Sequence, residues 1–147
     1  MIDDRDLVIL AALQQDARAT FAEIGERVGL APSTVHDRIR RLERSGVIRA
    51  YRADLDAEAV GLFVTAMVSV TPLDMRQPDD LPDRVREFSE VEACHSVAGD
   101  ENYILKVRTR TTADLEDFLR RLREKANVNT RTTVVLSTPF EHRPLSP

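Results

Sequence analysis

Apolar residues recur at helical spacing three times in the first third of the chain. Leu7, Leu10 and Leu13, following a start at Asp3 and Asp4, predict a first helix that ends near Asp16. Thr20-Phe-Ala-Glu23 has the spacing of a capping box, in which the hydroxyl and the carboxylate each satisfy an orphan backbone N–H. The helix it opens places Phe21, Ile24 and Val28 on its inner face, and Gly29 stands where a left-handed residue stops a helix. Pro32 suits the first turn of a third helix, because its missing N–H has no helical partner there. Val35, Ile39 and Leu42 mark that helix's buried face and Gly46 its end. Two short helices joined by a turn at Gly29–Ala31, after a leading helix, make a helix-turn-helix.

Beyond Gly46 the period changes from helical to two. Val47–Leu55 alternates as a strand, and with no second strand following it, the segment is expected to pair with another copy of the chain. Asp56–Gly61 reads as a hinge. Phe63–Thr71, with Val64, Ala66, Val68 and Val70 on one face, predicts a strand closed by Pro72, and Leu81, Val85 and Phe88 mark a helix starting near Pro82. Strands follow at Val91–Ala98 and Asn102–Arg110, the latter with Tyr103, Leu105 and Val107 inward and Lys106 and Arg108 outward. Thr111 to Asp114 caps a helix carrying Leu115, Phe118, Leu119 and Leu122, and Val128–Thr138 supplies the last strand. The order βαββαβ is the ferredoxin-like split arrangement. The expectation is an α+β chain. It has a winged-type helix-turn-helix at 1–52, a linker at 53–61 and a ferredoxin-like effector-binding and assembly domain at 62–147. One sheet face lacks a helical cover, and its apolar part is expected to be buried against another subunit.

Composition narrows the class. No apolar run approaches the roughly 18 residues that cross a bilayer, and the acidic start does not read as a signal peptide. The single Cys94 excludes an intramolecular disulfide. A cytoplasmic protein without a membrane partner is expected. The net charge of −4 argues weakly against nucleic acid, but its distribution argues the other way. Residues 33–52 carry six arginines and two acids, a basic head on an acidic body.

With Val35, Ile39 and Leu42 inward, the opposite face of the third helix carries Ser33, Asp37, Arg40 and Arg44, flanked by Arg41. Its early end offers Ser33, Thr34 and His36. In a helix-turn-helix the second helix enters the major groove and its early side chains meet base edges. Serine and threonine read a base or a phosphate, and arginine reads guanine in a bidentate fork. Arginines nearer the C-terminal end mostly contact phosphate. Arg38 and, past the helix, Arg49 complete the expected DNA-binding set. Asp37–Arg41, Arg40–Glu43 and Glu43–Arg44 have the spacing or adjacency for local ion pairs, and Asp37 either orients an arginine or accepts from a cytosine amino group.

Four blocks together resemble the Lrp/AsnC (leucine-responsive/asparagine-type) regulator family over essentially the whole chain. They are Gly29-Leu-Ala-Pro-Ser-Thr34, Arg38-Ile-Arg-Arg-Leu-Glu43, Gly46-Val-Ile-Arg-Ala-Tyr51 and Val97-Ala-Gly-Asp-Glu-Asn-Tyr103. The resemblance implies dimers that pair their linker strands, commonly gathered as four dimers in an octamer. It also implies amino-acid effectors bound between C-terminal domains. The family's effector loop is typically Gly-Asp-x-Asp-Tyr; here it reads Gly99-Asp100-Glu101-Asn102-Tyr103, so Asn102 stands where relatives have a ligand-holding Asp. Either Asp100 or Glu101 supplies the charge an ammonium group prefers, or Asn102 accepts through its carbonyl. On the last strand Thr132 and Thr133 are expected to hold a carboxylate, and Val134 and Val135 to line the side-chain pocket.

Other chemistry finds little support. Cys94 and His95 are adjacent on a predicted strand and point to opposite faces. His36, His95 and His142 lack metal-ligand spacing, and no phosphate-cradling loop, nucleophile elbow or dinucleotide fingerprint occurs. The reading is a DNA-binding regulator, not an enzyme, with no cofactor beyond an amino-acid effector. Its rivals are an architectural DNA protein without an effector and, behind it, a small-molecule enzyme on the ferredoxin-like domain.

Overall fold

In the computed structural model, which describes residues 1–145, helix α1 spans Asp4–Gln15 and starts at Asp3. Asp3 and Asp6 form a reciprocal capping box: each carboxylate accepts the other's backbone N–H, at 2.9 and 3.1 Å. The buried ridge of α1 is Asp6, Ile9 and Ala12, not the leucines. Leu13 packs at its edge, and Leu7 and Leu10 are only half-buried. Apolar spacing alone could not reveal this rotation, because a carboxylate occupies one inward position.

Helix α2 (Phe21–Val28) is capped by the Thr20/Glu23 box and ended by Gly29, whose φ of 67° is left-handed. Helix α3 (Pro32–Arg44) begins with proline in its first turn and buries Val35, Ile39 and Leu42. Ile9, Ala12 and Ile24 meet Val35 and Ile39 in a small core closed by Leu13, Ala19, Val28, Leu30 and Ile48. Phe21, expected inside, is 42% exposed and packs edge-on against His36 with ring centroids 5.1 Å apart. The buried positions of α2 are Ile24 and Gly25.

No strand forms at Val47–Leu55 among the described residues. Val47 and Ile48 donate their N–H groups to the Leu42 carbonyl, and residues 49–56 beyond them form no regular secondary structure. Met1–Asp54 and the described tail residues 140–145 make one compact unit, and Leu55–Pro139 the other. Residues 140–145 pack with the N-terminal unit. Gln14 explains this, accepting the Leu145 N–H at 2.7 Å and donating to the Leu145 carbonyl at 3.2 Å. Ser146 and Pro147, included in the domain expected at 62–147, lie outside the described residues.

The second unit contains β1 (Val64–Pro72), α4 (Leu81–Val85), β2 (Val91–Ser96), β3 (Tyr103–Thr109), α5 (Thr112–Ala126) and β4 (Val128–Val135). The sheet is antiparallel throughout, in the order β2-β3-β1-β4, which is the ferredoxin-like arrangement. Ala66, Val68 and Val70 of β1 and Tyr103, Leu105 and Val107 of β3 face a core filled by Leu115, Phe118 and Leu122 of α5. The other face carries Thr65, Met67 and Ser69 with Ile104, Lys106 and Arg108 and with Arg131, Thr133 and Val135. Lys106 lies on the outward face, as its position in the alternation predicts, but is only 8% exposed and pairs with Glu92 at 3.0 Å. Arg108 also pairs with Glu92 and donates to Thr65 at 3.1 Å. Burial resists charge on Glu92, but these two cations hold its carboxyl below the usual range.

Candidate nucleic-acid interface and effector loop

Pro32 and the absence of a side-chain cap leave the first turn of α3 open, with Ser33 and Thr34 exposed there. Arg40 and Arg44 are exposed on the outer face, and Arg44 Nε donates to the Arg40 carbonyl at 3.3 Å, so the two extend from one stretch of helix. His36 is half-buried between Phe21 and Asp37, with its Nδ1 3.5 Å from the Asp37 carboxylate. Arg49 is exposed beyond the helix.

Two arginines of the expected set are placed differently. Arg38 Nη1 donates to Asp3 at 2.7 Å and to Asp6 at 2.9 Å, and its side chain is 21% exposed. It lies against α1, away from the outer face. Arg41 Nη2 donates to the other Asp6 oxygen at 2.5 Å with half of its side chain in solvent, so the expected Asp37–Arg41 pair does not form. The reason is energetic: Asp6 is fully buried, and a desolvated carboxylate requires cationic partners. Arg38 donates to the Asp3 carboxyl and holds it below the usual range. Glu43 takes neither Arg40 nor Arg44 but accepts the Tyr51 hydroxyl at 2.9 Å. Partial burial, then Glu43, pushes Tyr51 up to about 12.

The expected effector residues fall into two groups. Residues 97–102 join β2 to β3, and the Val97 N–H donates to the Asn102 carbonyl while the Asn102 N–H donates to Val70. Gly99 and Asp100 are exposed at the tip. Glu101 bends over the uncovered sheet face, accepting the Ser69 hydroxyl at 3.1 Å with Arg131 3.8 Å away. Tyr103 goes to the opposite face, where its ring is buried and its hydroxyl donates to Asp79 at 2.6 Å. That bond and burial push the phenol up to about 12.

The four β4 residues cannot line one surface. Thr132 pairs with Val68 and Val134 with Ala66 on the helix-covered face, whereas Thr133 pairs with Met67 and Val135 with Thr65 on the uncovered face. Strand alternation divides them, and only the second pair shares the Glu101 side. An open groove of about 600 Å³ lies away from the loop, between Glu90, Glu92, Arg108, Arg110, Asp117 and Arg121. Its walls are charge-paired: Arg121 is bound by Glu90 and Asp117, and Arg108 by Glu92. Among the described residues no group of three or more His, Cys, Asp or Glu is placed to hold a metal ion.

Residues 2–49 match a winged helix-turn-helix DNA-binding family model, and residues 64–145 match the Lrp/AsnC ligand binding domain. The chain belongs to the Lrp/AsnC family. It is 47% identical over 142 residues to the HTH-type transcriptional regulator LrpA of Mycobacterium tuberculosis, spanning 97% of this chain and 95% of that one. It is 38% identical over 150 residues to the regulator AldR of Mycolicibacterium smegmatis, covering 96% and 82% of the two chains. A solved structure of the feast or famine regulatory protein from M. tuberculosis, complexed with L-methionine, superposes with a TM-score of 0.98 at 46% identity and covers 100% of both chains.

In this Lrp/AsnC member four side chains bear on the candidate sites without having been singled out from sequence. Asp3 and Asp6 hold Arg38 and Arg41, and Ser69 and Arg131 meet Glu101. Asp3 read only as a start signal for α1, and Asp6 carried no reading at all. Ser69 was hidden by the strand period, which marked only its apolar neighbours.

Proposed function

We propose that this Lrp/AsnC member is a sequence-specific DNA-binding transcriptional regulator whose binding or assembly responds to an amino acid. The observation that carries the reading is the outer face of α3: Ser33 and Thr34 at an open first turn, with Arg40 and Arg44 projecting on the same exposed side. Ser33 and Thr34 meet base edges. Arg40, Arg44 and Arg49 bind phosphate or guanine. The regulator names of the M. tuberculosis and M. smegmatis relatives support this assignment.

The effector part rests on the ligand-binding family match and on the L-methionine complex of the structural neighbour. Glu101 is engaged by Ser69 and Arg131, so the exposed Asp100 supplies the carboxylate for an ammonium group, with Asn102 accepting beside it. Tyr103 supports the loop from below through Asp79. The protein works as a dimer, assembled further into an octamer of four dimers. Its uncovered sheet face, with Met67 and Ile104, and the unpaired segment after Ile48 supply the contact surfaces. No helix among the described residues is long and apolar enough to cross a membrane, and the proposed site of action is the cytoplasm. The effector acts by binding one assembly or DNA-bound state better than another.

Selection of genomic fragments by the purified protein, with and without each amino acid, tests both parts. Recovery of a shared, roughly palindromic sequence whose yield changes with an amino acid is expected. Recovery of random fragments rejects the regulator reading, and indifference to every amino acid rejects the effector part.

A further inference from the structure

Two of the six arginines in the basic stretch are bound to α1, and the group that binds them both is a carboxylate 32 residues upstream of the nearer one. Asp6 sits at the first turn of α1 with no solvent exposure. One of its oxygens accepts from Arg38 Nη1; the other accepts from Arg41 Nη2 and from the Asp3 N–H. Asp3 closes the network by accepting from both the Asp6 N–H and Arg38 Nη1. Arg38 and Arg41 are three residues apart, so the network grips α3 along one line over nearly a full turn.

We propose that Asp6 is a positioning residue for DNA reading: with Asp3, it fixes the rotation of α3 about its own axis and pre-sets Arg41 as a phosphate donor. This rests on the DNA-binding role proposed above for α3.

The apolar contacts set which face of α3 is buried: Ile9 and Ala12 of α1 meet Val35 and Ile39 in the N-terminal core. The charged contacts are directional. Asp6 offers two oxygens in fixed relation to the α1 axis, and each is claimed by a different α3 arginine. A rotation of α3 by one residue's angle carries Arg38 or Arg41 away from Asp6 and leaves a buried carboxylate unpaired, so that state is disfavoured. Arg40, one position before Arg41, and Arg44, three after it, are thereby aimed as a consequence.

Arg41 has a second part in this arrangement. A guanidinium carries five N–H donors, and Asp6 engages Nη2 alone while half of the side chain remains in solvent. The free N–H groups are therefore presented in a set orientation, which lowers the entropy lost on contacting a phosphate oxygen. Arg38, whose Nη1 bridges both carboxylates and whose side chain is only 21% exposed, serves to hold the helix.

The test compares two duplexes of equal length by fluorescence anisotropy at one salt concentration: one enriched by the wild-type protein from genomic fragments, one of random sequence. Asp6→Asn keeps the shape of the side chain but removes its charge. It should lower the ratio of enriched-duplex to random-duplex affinity at least tenfold. Affinity for the random duplex should hold or rise, since the chain gains one net positive charge. Loss of fold would weaken both together, so the ratio isolates positioning. Arg41→Gln should reduce the slope of log affinity against log salt by about one, as expected for one lost phosphate contact. Should Asp6→Asn not fold, Asp3→Asn decides: asparagine still caps α1, one anchor of Arg38 loses its charge, and the ratio should fall about threefold. An unchanged ratio in the folded Asp6→Asn protein, or in Asp3→Asn, overturns the proposal. A wild-type protein that shows no preference for any enriched duplex overturns the DNA-binding reading itself, a separate failure.

Discussion

Gly25 in α2 lies so close to Leu30 that a β-carbon at position 25 would stand 2.5 Å from the Leu30 carbonyl oxygen. The same two residues are joined by the Leu30 N–H donating to the Gly25 carbonyl at 3.0 Å. Together they close the turn between α2 and α3, with Gly29 in its left-handed conformation between them. The orientation of the reading helix therefore depends on a missing side chain.

Gly25→Ala is expected to destabilise the N-terminal unit. Overpacking against rigid backbone costs about 1–3 kcal/mol. The gain in helix propensity, about 1 kcal/mol, offsets only part of it. Thermal melting of the variant beside wild type should show a lower midpoint, and a higher one would contradict the close approach.

Phe118 is the largest side chain of the C-terminal core without solvent exposure, and it meets Phe88 edge-on at 5.5 Å and 87°. Phe118→Ala should cost about 3–5 kcal/mol, the range for deleting a buried aromatic ring. Urea unfolding followed by circular dichroism measures it. A loss below about 1 kcal/mol would mean that the core collapses around the gap.

The tyrosines predict an alkaline limit. Tyr103, through its bond to Asp79 and then burial, and Tyr51, through burial and then Glu43, are both pushed up to about 12 from an ordinary value of 10. Their folded-state values exceed the unfolded ones, so their contribution is complete below pH 10 and declines as pH rises toward 12. Stability measured across this window should fall less steeply in Tyr103→Phe than in wild type. An identical slope would contradict the Tyr103–Asp79 bond.

The βαββαβ element order and the three N-terminal helices were legible from period, and the caps of α2 and α5 from cap chemistry. Thr20/Glu23 and Thr111/Asp114 form the capping boxes that their spacing announces. What misled was polarity in unexpected places. Asp6 occupies an inward position of α1, which shifted the apparent apolar ridge onto Leu7 and Leu10. Arg38 belonged to the expected DNA-binding set and Arg41 to the flank of the outer face, because a tertiary partner 32 and 35 residues away leaves no local trace. Phe21 looked like a core residue by spacing, yet it covers His36 at the surface.

At the loop, the sequence located the Gly99–Tyr103 segment but not its division between faces. Alternation was applied to the strand's apolar residues and not to Thr132 through Val135, whose register with β1 separates them two and two. Glu101 could be distinguished from Asp100 only once Ser69 was seen to bind it.

That division yields a prediction about the effector. At least one of the twenty amino acids, at millimolar concentration, should raise the melting temperature of the wild-type protein. Asp100→Asn should weaken that ligand at least tenfold, since a hydrogen bond to a charged group contributes about 1.5–3 kcal/mol. Asn102→Asp should tighten it. Thermal shifts that ignore position 100 would transfer the ammonium contact elsewhere.

The central claim is that the outer face of α3 reads duplex DNA, and the Arg40→Ala/Arg44→Ala double variant tests it most directly. Neither side chain is part of the Asp6 network, so the fold and the oligomer should survive the change, which light scattering checks. Anisotropy titration against a wild-type-enriched duplex is predicted to show at least a hundredfold weaker binding, with a salt slope shallower by about two. Binding as tight as wild type, at the same slope, would contradict the account.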